Sequence, residues 1–207
     1  MYKPSQYEKK DPEFIFSFIQ EHPFATLVLQ GDRLLATHIP VLAKGPKDAF
    51  CLFGHIANHN PQREWLKDDK EVLLIFQGAH AYISSSWYTK PDISTWDYSA
   101  VHVSARVKLQ QEDELRESLQ KLISKFESVQ ENPLYYEDIP NDILEEDIKG
   151  ITGFWLFPTH IDAIAKLSQN QSDENLSSIV AHLQQDNCPV HQELVNQIKK
   201  ENDSNDS

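Results

Sequence analysis

The sequence has little of what builds disulfide scaffolds, glycine-lined phosphate loops or electropositive surfaces. Its 207 residues include 2 cysteines, 6 glycines and 19 basic side chains against 32 acidic ones, so the formal net charge is −13. The two cysteines, Cys51 and Cys188, lie far apart, which favours a reduced, cytoplasmic protein over a disulfide scaffold. Because non-specific affinity for nucleic acid comes mainly from lysine and arginine, the charge also argues against direct DNA binding.

Long apolar runs and the common phosphate-binding motifs are missing as well. No run approaches the roughly 20 apolar residues that a membrane-spanning helix needs, so we expect no membrane span. The start, Met1-Tyr2-Lys3-Pro4, turns polar at once, so we expect no secretory signal. The sequence contains no G-x-G-x-x-G, no P-loop and no G-x-S-x-G. A bound phosphate would therefore depend on hydroxyls, imidazoles, lysine, arginine or a helix N-terminus.

Several predicted strands follow one another through short turns. Residues 25–30 and 34–39 flank the turn at Gly31-Asp32 and predict a β-hairpin. Residues 101–109 alternate apolar and polar side chains, as a strand with one buried face does. A parallel doubly wound sheet would place a helix after each strand. The order therefore predicts an α+β chain with an antiparallel barrel and helices at its ends.

Helix signals and breakers set the expected boundaries. Asp11-Pro12 begins a helix that should stop before Pro23, and apolar residues at helical spacing predict another helix over 115–126. Gly78 is expected to end one strand, and Pro158 to separate two others. The predicted organisation is a barrel domain over residues 1–183 with a helical insert around 112–148, a C-terminal helical extension over 184–200 and a disordered tail over 201–207.

A group of histidines invites a metal-site interpretation. His55 and His59 are four residues apart, as in the zinc motif H-E-x-x-H, but Ile56 replaces the glutamate and Pro61 follows closely. We therefore predict no metal site and interpret these histidines as hydrogen-bonding residues near a polar ligand or at strand ends. The other members of the group are His38, His80 and His102.

Three short segments carry polar side chains in places where ligands are often bound. The first is Asn60-Pro61, which opens a short helix, and its alternative interpretation is an ordinary capped helix. The second is the hydroxyl-rich segment 82–88 between aromatic residues, which is alternatively a surface loop with aromatic anchors. The third is the strand end at 166–170, which is alternatively a solvated exit from the sheet. No titratable pair identifies an acid–base couple, so no catalytic residue is predicted.

Taken in chain order, these motifs resemble one protein family. The match runs from Met1 to about Leu183, and its most specific part is the block from His80 to Tyr88. The chain resembles the PaiB-like family, which is described as FMN-binding negative transcriptional regulators. The segments that carry the resemblance are Met1-Tyr2, Pro4, His22-Pro23-Phe24-Ala25-Thr26-Leu27, Thr37-His38-Ile39-Pro40, Gly54-His55-Ile56-Ala57, Asn60-Pro61-Gln62, Phe76-Gln77-Gly78, His80-Ala81-Tyr82-Ile83-Ser84, Ser86-Trp87-Tyr88, Thr95-Trp96, Tyr98, Val101-His102-Val103 and Lys166-Leu167-Ser168-Gln169-Asn170.

The resemblance implies a split antiparallel β-barrel like that of pyridoxamine-phosphate oxidase, and a homodimer that holds FMN at its subunit interface. The phosphate would be bound by hydroxyl, imidazole and amide groups of the first half of the chain, with Lys166 as the cation beside Ser168 and Gln169. Ser84 and Trp87 would meet the isoalloxazine or the ribityl chain. The phosphate donors from the first half are Thr37, His38, His55, Asn58 and Asn60.

Two departures from the family pattern bear on the cofactor. Members usually have Asn where Asp97 stands and Arg where Gln171 stands, so the chain carries one more acid and one less cation. The expectation is FMN that is held weakly or has been lost. Three functions stay open: a flavin-dependent oxidoreductase or transcriptional regulator, a regulatory scaffold dimer with a vestigial flavin pocket, and a haem-binding protein that uses a histidine as axial ligand.

Overall fold

The computed structural model describes residues 1–185 and 188–203, which form two compact units. The first unit comprises Met1–Ile15, Gln77–Val101 and Asp162–Ser207, and the second comprises Phe16–Phe76 and His102–Ile161. Three long strands begin in one unit and end in the other, at residues 76–77, 101–102 and 161–162.

The strands form one seven-stranded sheet with the order β2-β1-β5-β6-β7-β4-β3. The strands are β1 Phe24–Gln30, β2 Leu34–Pro40, β3 Leu42–Lys44, β4 Cys51–Ala57, β5 Glu71–Ile83, β6 Thr95–Leu109 and β7 Ile151–Lys166. The helices are α1 Pro12–Glu21, α2 Glu112–Glu127, α3 Asn141–Lys149, α4 Asp173–Leu183 and α5 Pro189–Asp203, with short 3₁₀ turns at Pro61–Glu64, Ser85–Trp87 and Tyr136–Asp138. No helix in the described part of the chain is long and apolar enough to cross a membrane.

The predicted hairpin is confirmed. Strands β1 and β2 pair antiparallel from Phe24↔Pro40 to Gln30↔Leu34. Alternate residues of β1 point into the core, where Ala25, Leu27 and Leu29 are buried. This alternation follows from the two-residue period of a strand.

Two of the predicted strand breaks, at Gly78 and Pro158, are wrong. Gly78 lies inside β5, where it is buried, and Pro158 lies inside β7. The pairing of β7 with β4 ends at Leu156↔Leu52, so the missing N–H of Pro158 falls where β4 needs no donor. On the side of β4, the proline therefore costs the sheet no hydrogen bond.

The last helix extends three residues into the segment expected to be a disordered tail. Both carboxylate oxygens of Glu201 lie 2.6 Å from Lys9 Nζ, and Asn202 Nδ2 donates to Leu167 O at 3.1 Å. Apolar residues of α5 join the core of the first unit, among them Leu194 and Ile198. These contacts explain why the helix continues to Asp203; the rest of the expected tail, residues 204–207, lies outside the described residues.

Candidate functional site

The ten side chains predicted to bind the cofactor fall in both units, five in each. Thr37, His38, His55, Asn58 and Asn60 belong to the second unit. Ser84, Trp87, Lys166, Ser168 and Gln169 belong to the first unit.

In the second unit, Asn60 and Thr37 are in contact. Asn60 Nδ2 donates to Thr37 Oγ1 at 3.0 Å, and Asn60 Oδ1 accepts from the N–H of Gln62 at 2.9 Å. The predicted helix after Asn60 is a single 3₁₀ turn, Pro61–Glu64. So short a turn carries little of the dipole that makes longer helices bind anions. The geometry supports the capping interpretation of Asn60 more directly than the phosphate one.

Gln62, the third residue of this motif, has an internal structural role. Its side chain is buried, and Nε2 donates to Leu27 O at 3.1 Å and to Leu35 O at 3.0 Å. A single amide therefore joins the 3₁₀ turn to both strands of the hairpin. The sequence shows the motif but gives no sign of these two long-range bonds.

Thr37 and His38 are neighbours on β2 and so face opposite sides of the sheet. Thr37 shares its side with the buried Leu35 and Ile39, whereas His38 is exposed. The His38 ring lies against the exposed Phe24 ring, with centroids 6.0 Å apart and planes inclined by 26°. One flat ligand on either side of β2 would meet only one of the two predicted donors.

His55 and Asn58 lie at the end of β4. Burial lowers the pKa of His55, so its imidazole is poised to be neutral and able to accept one hydrogen bond. Asn58 accepts from Thr152 Oγ1 at 2.6 Å and donates to Lys149 O at 2.8 Å. The amide of Asn58 thus fastens the chain after β4 to the start of β7.

In the first unit, Ser84 and Trp87 bracket a 3₁₀ turn that packs against α4. Ser84 Oγ caps the turn by accepting from the N–H of Ser86 at 3.2 Å. The Trp87 indole stacks on the His182 imidazole, with centroids 4.9 Å apart and planes 11° from parallel. Ser178 Oγ donates to Trp87 O at 2.7 Å. One face of the indole is therefore covered by α4, and a flavin would have to meet its edge or its other face.

Lys166 and Ser168 come together around Asp97, which the sequence singles out only as a departure from the family pattern. The Asp97 side chain is 0% exposed, and its Oδ2 accepts from Ser168 Oγ at 2.5 Å. Lys166 Nζ lies 3.7 Å from Asp97 Oδ1. Burial raises the pKa of Asp97, while the Ser168 hydrogen bond and the Lys166 charge oppose that rise. The only cation among the predicted cofactor ligands is thus paired with a buried acid.

Gln169 and Gln171 continue this strand end. Gln169 Nε2 donates to Ala165 O at 2.6 Å, and Gln169 Oε1 accepts from the N–H of Leu167 at 2.7 Å. Gln171 Oε1 accepts from Asn175 Nδ2 at 2.8 Å. Both glutamines line a cavity of about 440 Å³ between α4 and α5. The Gln169 amide is engaged at both ends, so it stabilises the turn after β7.

Strands β5 and β6 together carry an exposed aromatic group. Tyr82 and Trp96 are 50% and 54% exposed, with ring centroids 6.1 Å apart. The His80 ring lies 6.0 Å from the same indole. Lys166 Nζ donates to Trp96 O at 2.6 Å, so a cation adjoins this aromatic group. Alternation along β5 predicts that residues 80 and 82 share a side, but pairing with Trp96 requires the register of β6.

Metal ligation has no support in the described ranges. Among residues 1–185 and 188–203, no three histidine, cysteine, aspartate or glutamate side chains come together as ligands of a metal ion would. The five histidines of the sequence cluster are divided between the units, with His80 in the first and the others in the second.

Comparison with known proteins gives a family and a fold. The family described as "Putative FMN-binding domain" matches residues 1–160. The protein named "Protease synthase and sporulation protein PAI 2" of Bacillus subtilis is 36% identical over 190 residues, which cover 91% of this chain and 92% of that protein.

Two solved structures have the same fold at low sequence identity. The FAD and heme binding protein of Mycobacterium smegmatis has a TM-score of 0.59 at 13% identity, covering 83% of this chain and 80% of that chain. The flavocytochrome Anf3 of Azotobacter vinelandii has a TM-score of 0.59 at 12% identity, covering 86% of this chain and 78% of that chain. The predicted α+β fold, a split antiparallel barrel with peripheral helices, is confirmed.

Proposed function

The chain belongs to the FMN-binding domain family, and on this premise we propose that it is a flavin-binding split-barrel protein. The observation that carries the proposal is the family match over residues 1–160, together with 36% identity to the Bacillus protein over 91% of the chain. A flavin, when bound, supplies the redox chemistry, and the protein supplies binding, orientation and exclusion of water.

The aromatic group of His80, Tyr82 and Trp96 fits the ring system of a flavin. Planar heterocycles stack on aromatic side chains. The Tyr82 and Trp96 rings are inclined by 67° to each other, so a flavin stacked on one ring would meet the edge of the other. We assign the isoalloxazine to this surface, and Ser84 and Trp87 lie in the same unit. The assignment extends the predicted set, which holds Ser84 and Trp87 but not the three rings.

The predicted phosphate ligands fit a phosphate less well than the aromatic group fits the flavin ring system. Lys166 would be the cation for it, with Ser168 and Gln169 beside it, yet these three side chains already bond within the protein. In the second unit, Thr37, His38, His55, Asn58 and Asn60 remain predicted donors, and an alanine substitution at each would test them one by one.

The test is a titration of the purified protein with FMN, followed by flavin fluorescence and absorbance, with mass spectrometry of any molecule released on denaturation. We expect saturable binding with a change in fluorescence. Trp96→Ala and Tyr82→Ala should weaken binding, whereas Phe157→Ala, which removes a similarly exposed ring in the second unit, should not. A colourless protein whose addition leaves the fluorescence of both FMN and riboflavin unchanged at every concentration refutes the proposal.

We further propose a cytoplasmic homodimer. A flavin stacked on the aromatic group would leave its other face to water, and a second protomer over that face would complete a dry site. Cys51 and Cys188 are not joined in a disulfide, which accords with a reducing compartment. Sedimentation equilibrium measures the assembly state directly, and a monomer at micromolar concentration with FMN present contradicts it.

A second candidate is a regulator of transcription that acts through a protein partner. The segment from α2 to α3, residues 112–149, holds 12 of the 32 acidic residues and 4 of the 19 basic ones. Exposed apolar side chains lie in the same segment, among them Val129 at 80% and Leu134 at 54%. An acidic surface with apolar contacts suits a basic protein and repels DNA. Sequence-specific DNA binding by the isolated protein that survives 0.2 M salt would contradict this mode of action.

A further inference from the structure

The most unusual charged group of the described chain is Asp97 on β6. Its side chain is fully buried, Ser168 Oγ donates to one carboxylate oxygen, and the other oxygen has no hydrogen-bond donor among the described residues. Its nearest cation is Lys166, with Nζ 3.7 Å away. A buried carboxylate with an unsatisfied oxygen costs stability. A function of Asp97 would explain why the chain carries this cost.

The position of Asp97 removes two side chains from ligand binding. Ser168 adopts a left-handed backbone conformation (φ 59°) with its hydroxyl turned into the protein, towards Asp97. The Lys166 ammonium has three N–H donors, of which Thr95 Oγ1 takes one at 2.5 Å and Trp96 O takes another at 2.6 Å. For the third N–H of Lys166, the nearest anion is the Asp97 carboxylate. When Asp97 is ionised, the pair of Lys166 and Asp97 is neutral, and a phosphate arriving beside it meets no net positive charge.

We propose that Asp97 is a specificity-determining residue, which turns the flavin site away from the phosphate of FMN and towards uncharged flavins such as riboflavin. The inference rests on the proposed flavin-binding function and adds to it a ligand class. Asp97 acts through Lys166 and Ser168 and is therefore a positioning residue. An amide at the same position would remove the charge and leave the Ser168 bond possible, because an amide oxygen also accepts. Lys166 would then present a net charge to a phosphate.

The experiment measures the dissociation constants of FMN and riboflavin for the wild-type protein and for Asp97→Asn at fixed pH and salt. We expect the preference for FMN over riboflavin to rise about tenfold in Asp97→Asn, the effect of one charge-assisted contact. Asp92→Asn is the matched control, since it removes an exposed carboxylate from the same unit, and its ratio should equal that of the wild type. In Asp97→Asn/Lys166→Met the gain should vanish, because the released charge is then absent.

A purely structural role for Asp97 would change the affinity for both flavins together and leave their ratio constant. A ratio that stays within twofold of the wild type in Asp97→Asn therefore overturns the inference, while binding of FMN by both proteins still supports the proposed function. If the wild type binds neither flavin, the proposed function fails, and the inference, which rests on it, fails with it. Asp97→Ser, with folding checked by circular dichroism, repeats the comparison should the asparagine variant misfold.

Discussion

Replacing Gln62 by methionine should destabilise the protein without altering its ligand preference. Methionine fills nearly the same volume as glutamine but offers no N–H, so Leu27 O and Leu35 O each lose a donor that now lies at 3.1 Å and 3.0 Å. The substitution takes place inside the motif Asn60-Pro61-Gln62, which belongs to the family resemblance. It therefore separates a structural reason for the motif from a ligand-binding one.

The size of the effect follows from the number of buried bonds. Two lost hydrogen bonds to carbonyls in a buried setting cost about 2–3 kcal/mol. Gln62 Oε1 is itself buried with no donor in the described structure, so removing it returns part of that cost. The expected net loss is about 2 kcal/mol, which lowers the Tm of a protein of this size by about 4–8 °C.

Urea unfolding followed by circular dichroism, with a thermal melt alongside, measures the change. Gln30→Met is the control, because it makes the same substitution at an exposed position of β1 whose amide donates to the adjacent Gly31 O. The control should lose less than about 0.5 kcal/mol. A Gln62→Met protein as stable as the control would mean that the two bonds contribute nothing. A large loss of FMN affinity at temperatures where the variant is folded would mean that the motif serves the ligand.

Three further predictions concern charge and backbone. Burial raises the pKa of the Asp97 carboxyl group, so the folded state keeps the carboxyl proton to higher pH than the unfolded state and loses stability as pH rises above about 4. Relative to the wild type, Asp97→Asn should therefore gain more unfolding free energy at pH 7 than at pH 4, with Asp92→Asn as the control. Burial lowers the pKa of His55, so stability falls as pH drops below about 6.5, where the histidine of the unfolded state takes up a proton first. In His55→Gln the unfolding free energy should therefore depend less on pH between pH 7 and pH 5, and an unchanged slope contradicts this. Gly45 has φ 110°, and a Cβ there would lie 3.1 Å from Ala49 O, so Gly45→Ala should lower stability by about 1–2 kcal/mol in a thermal melt, whereas no change would mean that the turn relaxes freely.

Much of the fold follows from local signals in the sequence. The hairpin of β1 and β2 follows from two apolar runs around Gly31-Asp32, and α1 begins at Pro12 as the cap-plus-proline signal predicts. The errors at Gly78 and Pro158 have a common cause. A breaker residue ends a strand only where a neighbouring strand needs its N–H or side chain, and strand pairing is not visible in one sequence.

The candidate site was harder to predict for the same reason. Sequence order identifies Lys166 and Ser168 as polar residues at a strand end, but their common partner Asp97 lies 69 and 71 residues earlier on β6. The aromatic group depends likewise on the register between β5 and β6. Local pattern identifies the segments, and long-range pairing determines which side chains are free to meet a ligand.

The three strands that run through both units have a consequence for synthesis on the ribosome. The N-terminal segment emerges first, yet three of its partners lie beyond residue 160: Glu8 pairs with Ile164, the amino group of Met1 binds Asp162, and Lys9 binds Glu201. At about 5–20 residues per second, translation of the intervening 150 or so residues takes roughly 8–30 s, during which the first segment lacks these polar and strand partners. Neither unit is encoded by one continuous stretch, so the first unit assembles only after residues from Asp162 onwards have been synthesised.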